Sequence, residues 1–567
     1  MSASGTSHAA ADGAVSLHTL KDLIDERLFA SAVTLASFAV SEKRKPEPSI
    51  HFQVKLRELF ATALVGNGEP LRAVAVLQDA VKQLSASKKA SEQLSRINKL
   101  HTRIVSILAE NNRLDDALDQ AKRISATMRS AGLLATLAEI YHKKGNRQQA
   151  IDCYKQVCYK QPYAIQAPLA LLSYGYSPSS LIEHYRANLD EDHAWIVTFL
   201  QALGSYYESK HKVSLSLLDD LLQRFPDNEY VLRFVGECIV EQTDMNGALE
   251  VFEKLSSLHP FFVDGMDTYA SLLKFVSNRS GLNRLAMRLQ GITTHRAEVW
   301  LAVAMYLDLV GQTQRALGFA EKALAIDGQH RPAHLVRGML LYDMDNVDEG
   351  IKAFRAAYLL RKDFQSFQGL IDGKIQSGKI LEALAVANHA QQVFPENAQA
   401  LTLLGSVLSH YQDGKEKASK MLEKALEIDP TYTPAAIYLG AVYSVNNQVE
   451  KAIEVMKGHL EVARLHKAPL LTQLASVYQE SGNSSEALLY YNRALAEEPT
   501  FKPAEEGLKK LQRELGSGNF DEQQQQETGH EEDEEEEYDE EEEEDDDEED
   551  DEEDEAEDSF PSFDELG

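Results

Sequence analysis

Residues 468–499 read APLLTQLASVYQESGNSSEALLYYNRALAEEP and contain one complete copy of the pattern that organises this chain. Two alanines, Ala475 and Ala487, are each followed within four residues by a tyrosine, and Pro499 closes the segment. Small side chains at two fixed positions let two helices pack closely, while the larger residues fill the space between neighbouring units. Proline cannot continue a helix, so it ends the unit. The segment therefore predicts a pair of packed helices joined by a turn.

The second small residue of this pattern recurs at intervals of 34, 33, 35, 34 and 35 residues. This is the period of the tetratricopeptide repeat (TPR), a helix–turn–helix unit. One unit cannot bury its own apolar face, so neighbouring units must stack on it. The sequence therefore predicts an all-α fold, a TPR superhelical solenoid of roughly thirteen or fourteen units between residues 15 and 515. The recurring small residues are Ala316, Gly350, Ala383, Ala418, Ala452 and Ala487.

The formal net charge of −33 comes almost entirely from the C-terminus. Residues 516–567 contain 31 Asp and Glu and no Lys or Arg, whereas residues 1–515 contain 59 acidic and 57 basic side chains. Such an acidic segment cannot bury apolar surface and repels itself, which predicts a disordered tail. Ser559 and Ser562 lie among these acids, the setting that acidophilic kinases favour, and are candidate phosphorylation sites.

These patterns divide the chain into four parts. We expect a disordered N-terminus (1–14), N-terminal helical or TPR-like units (15–97), a TPR solenoid (98–515) and the disordered acidic tail (516–567). A helix near the start of the second part carries an apolar face, as expected of a helix that packs against another surface. Its residues are Leu17, Leu20, Ile24 and Leu28.

The sequence contains no motif of a known catalytic or metal site. There is no P-loop, no H-E-x-x-H and no G-x-S-x-G, and the three cysteines form no C-x-x-C pair. No apolar run approaches the roughly 18 residues of a membrane span, and the near-neutral body lacks the basic excess of a nucleic-acid binder. We therefore expect a non-enzyme without a cofactor or metal and without nucleic-acid or membrane partners, located in the nucleus and cytoplasm.

Protein binding is the remaining class of function. In a solenoid the first helix of each unit lines a concave groove, and its second, fifth, ninth and twelfth residues share one stripe. An apolar groove with methionines and a few acids suits a peptide with an aliphatic and a basic residue. The alternative is an ordinary solvated helix face. The candidate groove residues are Glu298, Leu301, Met305, Asp308, Leu335, Met339, Tyr342 and Asp372.

Particular stretches also resemble the subunit 7 family of the anaphase-promoting complex, or cyclosome. The main ones are residues 259–269, HPFFVDGMDTY, and residues 397–404, NAQALTLL, with weaker similarity at 133–154 and 17–80. The run Gly-Met-Asp-Thr-Tyr within the first stretch is not required by the repeat pattern. The resemblance therefore extends beyond what repeat proteins share through their packing positions alone.

The resemblance implies a non-catalytic scaffold subunit of a multi-subunit ubiquitin ligase that acts in mitosis and cell division. Its implied partners are a second copy of itself, other TPR subunits of the complex and, less directly, the C-terminal Ile-Arg tail of an activator subunit. The resemblance places the homodimer contact in the N-terminal units (15–97), where we expect the apolar face of Leu17, Leu20, Ile24 and Leu28 to support it. The alternative is an acidic-tailed TPR adaptor or co-chaperone for chaperones or histone-like proteins. A chaperone clamp needs Lys and Asn in the groove to hold carboxylates. The fifth positions instead hold Leu301, Leu335, Ile437 and Thr472.

Overall fold

In the described residues of the computed structural model all regular structure is helical, with 29 α-helices, two short 3-10 helices and no strand. The predicted all-α fold is confirmed. Residues 1–14 and residues 525–567 of the predicted acidic tail, including Ser559 and Ser562, lie outside the described part. The structure describes residues 16–42, 49–86, 93–242, 244–411, 414–463, 466–499 and 501–524, with side chains described as far as residue 514.

The chain divides into two compact units, Met1–His466 and Lys467–Gly567. In the described part of the first unit, 26 α-helices follow one another as hairpins. Those of the N-terminal half are α1 Leu17–Asp25, α2 Phe29–Ser41, α3 Ile50–Gly66, α4 Pro70–Ser85, α5 Leu94–Glu110, α6 Leu114–Ala121, α7 Ala131–Lys143, α8 Arg147–Lys160, α9 Gln166–Ser173, α10 Pro178–Asn188, α11 Ala194–Tyr207, α12 His211–Arg224, α13 Glu229–Glu241 and α14 Met245–Leu258. The 3-10 helices are Ala126–Met128 and Glu191–His193.

The remaining helices of the first unit repeat the same hairpin with more regular lengths. They are α15 Met266–Phe275, α16 Arg279–Ile292, α17 Ala297–Leu309, α18 Thr313–Ile326, α19 Arg331–Asp343, α20 Val347–Leu360, α21 Phe364–Gln376, α22 Ile380–Val393, α23 Ala398–Ser409, α24 Lys415–Ile428, α25 Thr433–Val445 and α26 Val449–Leu460. The irregular hairpin is α9–α10, in which the short α9 packs mainly on α8 and α11.

The second unit contains α27 Lys467–Glu480, α28 Ser484–Glu497 and α29 Lys502–Gln524. The last helix covers the hairpin before it, burying Ala504 and Leu511, and Gly507 lets Tyr491 approach its backbone. It continues to Gln524, beyond the end of the solenoid that the repeat pattern indicated at residue 515. None of the helices in the described residues is long and apolar enough to cross a membrane.

Close helix packing explains the small residues of the repeat. The ring of Phe354 on α20 lies between Gly338 of α19 and Gly369 of α21. A Cβ on Gly338 would lie 2.7 Å from a ring carbon, and one on Gly369 would overlap the ring, so both helices approach because these side chains are absent. The six periodic small residues are all buried: Ala316, Gly350, Ala383, Ala418, Ala452 and Ala487.

The Gly-Met-Asp-Thr-Tyr run begins α15 and has packing roles of its own. Gly265 has a φ of +77°, which favours glycine, and a Cβ there would lie 2.8 Å from the Arg233 side chain. Met266 is fully buried, and Tyr269 stacks on Phe252 with ring centroids 6.0 Å apart. These contacts explain why the run is present although the repeat pattern does not require it.

Candidate peptide-binding groove

The predicted groove residues of α17 divide into buried and ion-paired side chains. Leu301 is 0% exposed and Met305 is 4% exposed, because α17 packs against α15, α16, α18 and α19. These two side chains therefore belong to the core of the stack. The two acidic candidates on the same helix, Glu298 and Asp308, lie closer to solvent and have cationic partners.

Both acids have a cationic partner within the chain. Arg296 Nη2 donates to Glu298 Oε1 at 2.6 Å. Burial alone would raise the pKa of Glu298, but the hydrogen bonds and charge of Arg296 lower it below its usual value. Asp308 forms an ion pair with Lys274 of α15. A ligand cation at either carboxylate would therefore have to compete with a cation of the chain itself.

The predicted residues of α19 include an exposed methionine beside a tyrosine. Leu335 is buried, whereas Met339 is 45% exposed. Tyr342 is half-buried, and its hydroxyl donates to the carbonyl oxygen of Gly369 at 2.8 Å. The absence of a side chain at Gly373 makes room for this hydroxyl, since a Cβ there would overlap it. Helix α21 thus fixes the Tyr342 ring next to the accessible methionine.

Asp372 on α21 is the acidic candidate without a cationic partner. No hydrogen bond or ion pair in the described residues reaches its carboxylate, and solvent has access to it. The surrounding protein nevertheless displaces enough water to raise the pKa of Asp372 to about 6. Desolvation of this kind costs less when a cation approaches the carboxylate. The site is therefore suited to a positively charged ligand group.

Tyr438 on α25 was not among the candidates but belongs to the same region. It is 37% exposed, and burial together with the charge of Asp372 raises the pKa of its hydroxyl. Tyr438 follows Ile437, which holds the fifth position of its repeat. The groove stripe of second, fifth, ninth and twelfth positions would include Tyr438 if it were one residue wider. Tyr342 and Tyr438 thus lie near Asp372, and the exposed Met339 lies one helical turn from Tyr342 on α19. We call these four residues the Asp372 groove.

Only three of the four residues of the predicted N-terminal apolar face share a helix. Helix α1 ends at Asp25, the backbone of Arg27 has a positive φ, and Leu28 lies in the connection to α2. Leu20 is buried, Leu17 and Ile24 are half-buried, and Leu28 is 48% exposed. Leu20 and its neighbours pack against α2 and α3, which leaves Leu28 as the most accessible of the four. The dimer contact at these residues stays a prediction.

Two other kinds of site, a small-molecule pocket and a metal centre, have less support in the described residues. A pocket of about 250 Å³ between α5 and α7 is lined in part by Ser106, Thr136, Glu139 and Lys143. This volume lies below the ~300–1,000 Å³ of most small-molecule sites. No group of three or more His, Cys, Asp or Glu in the described part of the chain is arranged to hold a metal ion. The Asp372 groove is therefore the best-supported candidate site in the described residues.

Comparison with known proteins finds similarity to repeat models and to subunits of one complex. One tetratricopeptide repeat model matches residues 133–161 and 470–503, and a second tetratricopeptide repeat model matches residues 398–432. Anaphase-promoting complex subunit 7 of Arabidopsis thaliana is 28% identical over 524 residues, covering 87% of this chain and 93% of the relative. The same subunit of Dictyostelium discoideum is 24% identical, covering 88% and 90%, and that of Homo sapiens is 26% identical, covering 70% and 71%.

A solved structure supports the fold along most of the chain. A chain from the crystal structure of the APC/C hetero-tetramer Cut9–Hcn1 matches with a TM-score of 0.59 and covers 87% of this chain and 95% of its own length. Its sequence identity of 17% makes it evidence for the fold alone. The recurring small residues, the 14 hairpins in the described residues and these relatives lead to one conclusion. The chain is a tetratricopeptide-repeat protein related to anaphase-promoting complex subunit 7 over most of its length.

Proposed function

We propose that this chain is a TPR scaffold subunit of the anaphase-promoting complex, the cell-cycle ubiquitin ligase, and that it acts without catalysing a reaction itself. The similarity to subunit 7 proteins along 70–88% of the chain carries this proposal. A stack of hairpins presents long surfaces to other proteins, which is what a scaffold requires. We place the protein in the nucleus and cytoplasm, where it contacts other TPR subunits and forms a homodimer through its N-terminal hairpins.

Isolation of the tagged chain from its own cells under native conditions tests the scaffold role. Mass spectrometry should identify the remaining subunits of the complex in near-stoichiometric amounts. A preparation that contains chaperones or histones in place of those subunits would favour the co-chaperone or histone-adaptor alternative. Ubiquitin transfer by the purified chain alone, with E1 and E2 enzymes present, would contradict the non-catalytic role.

The proposed ligand of the Asp372 groove is the C-terminal Ile-Arg tail of an activator. The accessible, unpaired carboxylate of Asp372 supplies the partner for the arginine, and charge-assisted hydrogen bonds are stronger than neutral ones. Met339 offers an adaptable apolar surface for the isoleucine beside the fixed ring of Tyr342. A groove with this lining disfavours the anionic C-terminal peptides that a chaperone clamp binds.

A labelled peptide that ends in Ile-Arg tests this assignment by fluorescence titration. Asp372→Asn should weaken binding by about 10- to 100-fold, as expected from the ~1.5–3 kcal/mol of a hydrogen bond to a charged group. Asp348→Asn removes an exposed carboxylate on α20 and is the matched control. Absence of binding to the unmodified chain, or equal binding by both variants, would contradict the groove assignment and leave the scaffold role intact.

A further inference from the structure

Contacts between distant hairpins set this chain apart from a simple stack of repeats. Each repeat of an ideal solenoid contacts only its neighbours. In the first unit, however, Arg147 Nη1 donates to the carbonyl oxygen of Leu359 at 3.3 Å, across 212 residues of sequence. His142 Nε2 also lies 3.8 Å from Asp327 Oδ1. The turn between α7 and α8 therefore meets α20 and the connection that follows α18.

A third long-range contact centres on Arg361, directly after α20. Its guanidinium carbon lies 4.9 Å from the ring centroid of Tyr206 and 5.4 Å from that of Tyr207. Its Nη1 also donates to the Tyr206 hydroxyl at 3.4 Å, across 155 residues of sequence. A planar guanidinium can stack on aromatic faces and donate hydrogen bonds at the same time, which an ammonium group cannot do. The two tyrosines end α11, so Arg361 joins α11 to the α20–α21 connection.

The charges around Arg361 favour this position. Burial alone would lower the pKa of Arg361, but Tyr206 and the carboxylates of Glu241 and Asp363 raise it. Glu241 is the last residue of α13, so a third hairpin contributes to the same cluster. Asp363 in turn forms an ion pair with Arg331 at the start of α19. The cation is thus partly desolvated and yet electrostatically compensated by groups from different hairpins.

We propose that Arg361, Tyr206 and Tyr207 form a clasp that holds the intervening hairpins in a closed turn. Helices α12 to α20 lie between Tyr207 and Arg361 along the chain. Small changes in the angle between successive hairpins would therefore add up to a large separation of these two residues. The clasp opposes this separation directly, as do the contacts of Arg147 and His142, whereas packing between neighbouring hairpins opposes it only one junction at a time. Loss of the clasp should therefore widen the turn without unfolding the hairpins.

Distances between two spin labels test the clasp in the full chain. Labels at Lys212→Cys on α12 and Arg355→Cys on α20 occupy exposed positions on either side of it, and the three native cysteines are buried. Double electron–electron resonance should give a narrow distribution for the otherwise unmodified chain. Arg361→Ala should shift the distribution to longer and broader distances, and Arg361→Lys should give an intermediate result because it keeps only the charge.

Lys362→Ala is the matched control, since it removes an adjacent exposed cation whose ring contact is with Tyr358 of its own hairpin. It should leave the distribution unchanged. Circular dichroism of each variant verifies that the helices are intact. If Arg361→Ala does not fold, Arg361→Lys and Tyr206→Phe decide the question. An unchanged distribution in the folded Arg361 variants would overturn the clasp, as would a Lys362→Ala shift equal to that of Arg361→Ala.

Discussion

The carboxylate of Asp372, the proposed partner of a ligand cation, has a cost in stability. The pKa of Asp372 rises to about 6 through desolvation, above the ~3.9 of an unfolded aspartate. Between these two values the folded chain holds the proton more tightly than the unfolded chain does. The free energy of unfolding therefore falls as the pH rises through this window, and at pH 7 the full penalty is present.

The raised pKa of Asp372 predicts that removal of its charge stabilises the fold. Asp372→Asn should raise the melting temperature at pH 7, because it removes the charge, and should change it little at pH 4, where the folded carboxyl is protonated. Solvent access screens the charge, so the gain should be small. Thermal unfolding at both pH values measures it, with Asp348→Asn as the exposed control. A lower melting temperature at pH 7 would show that Asp372 stabilises the fold.

The glycine next to this aspartate should be intolerant of even one methyl group. Gly373→Ala places a Cβ where the Tyr342 hydroxyl lies, so α19 and α21 have to separate or the ring has to leave its position. Overpacking of this kind costs ~1–3 kcal/mol of the free energy of unfolding. Gly318→Ala on α18 is the control, because its Cβ meets open space and alanine favours a helix by about 1 kcal/mol. Urea denaturation should move the two variants in opposite directions.

At the scale of the helix, packing of the hairpin depends on the same small residues in every repeat. Ala487 on α28 is fully buried against α27. Ala487→Leu should lower the free energy of unfolding by ~1–3 kcal/mol through overpacking. Asn492→Leu on the exposed face of the same helix should change it by less than ~0.5 kcal/mol. Chemical denaturation followed by circular dichroism compares the two, and equal losses would place Ala487 outside the helix–helix contact.

Positions that recur with the repeat could be predicted, whereas contacts outside the repeat could not. Ala316 and Ala487 occupy equivalent places, so their spacing alone predicted the buried side of each second helix. Leu301 and Met305 share the groove stripe with Met339, yet only Met339 is largely exposed, because neighbouring helices cover α17 more completely. The contact of Arg361 with Tyr206 joins hairpins that are far apart in sequence, and no periodic signal marks it.

At the scale of the whole molecule, the proposed dimer predicts a difference between two lengths of the chain. The full chain should scatter light as a dimer at micromolar concentration, and a chain that starts at Asn98 should scatter as a monomer. A two-fold interface uses the same patch twice, so loss of the first hairpins removes both halves of it. Leu28→Asp, at an exposed position of the apolar face, should also weaken the dimer. A monomeric full chain would contradict the prediction.

The last helix has a consequence for how copies of the chain can associate. A hairpin at the end of a stack presents an apolar side that fits any similar hairpin, including one from another molecule. Helix α29 covers that side of the second unit with Ala504 and Leu511, and Tyr491 packs against its Gly507. Head-to-tail addition of further copies would otherwise be open-ended and would produce fibres. By covering this side of the second unit, α29 removes the apolar surface on which another hairpin would stack.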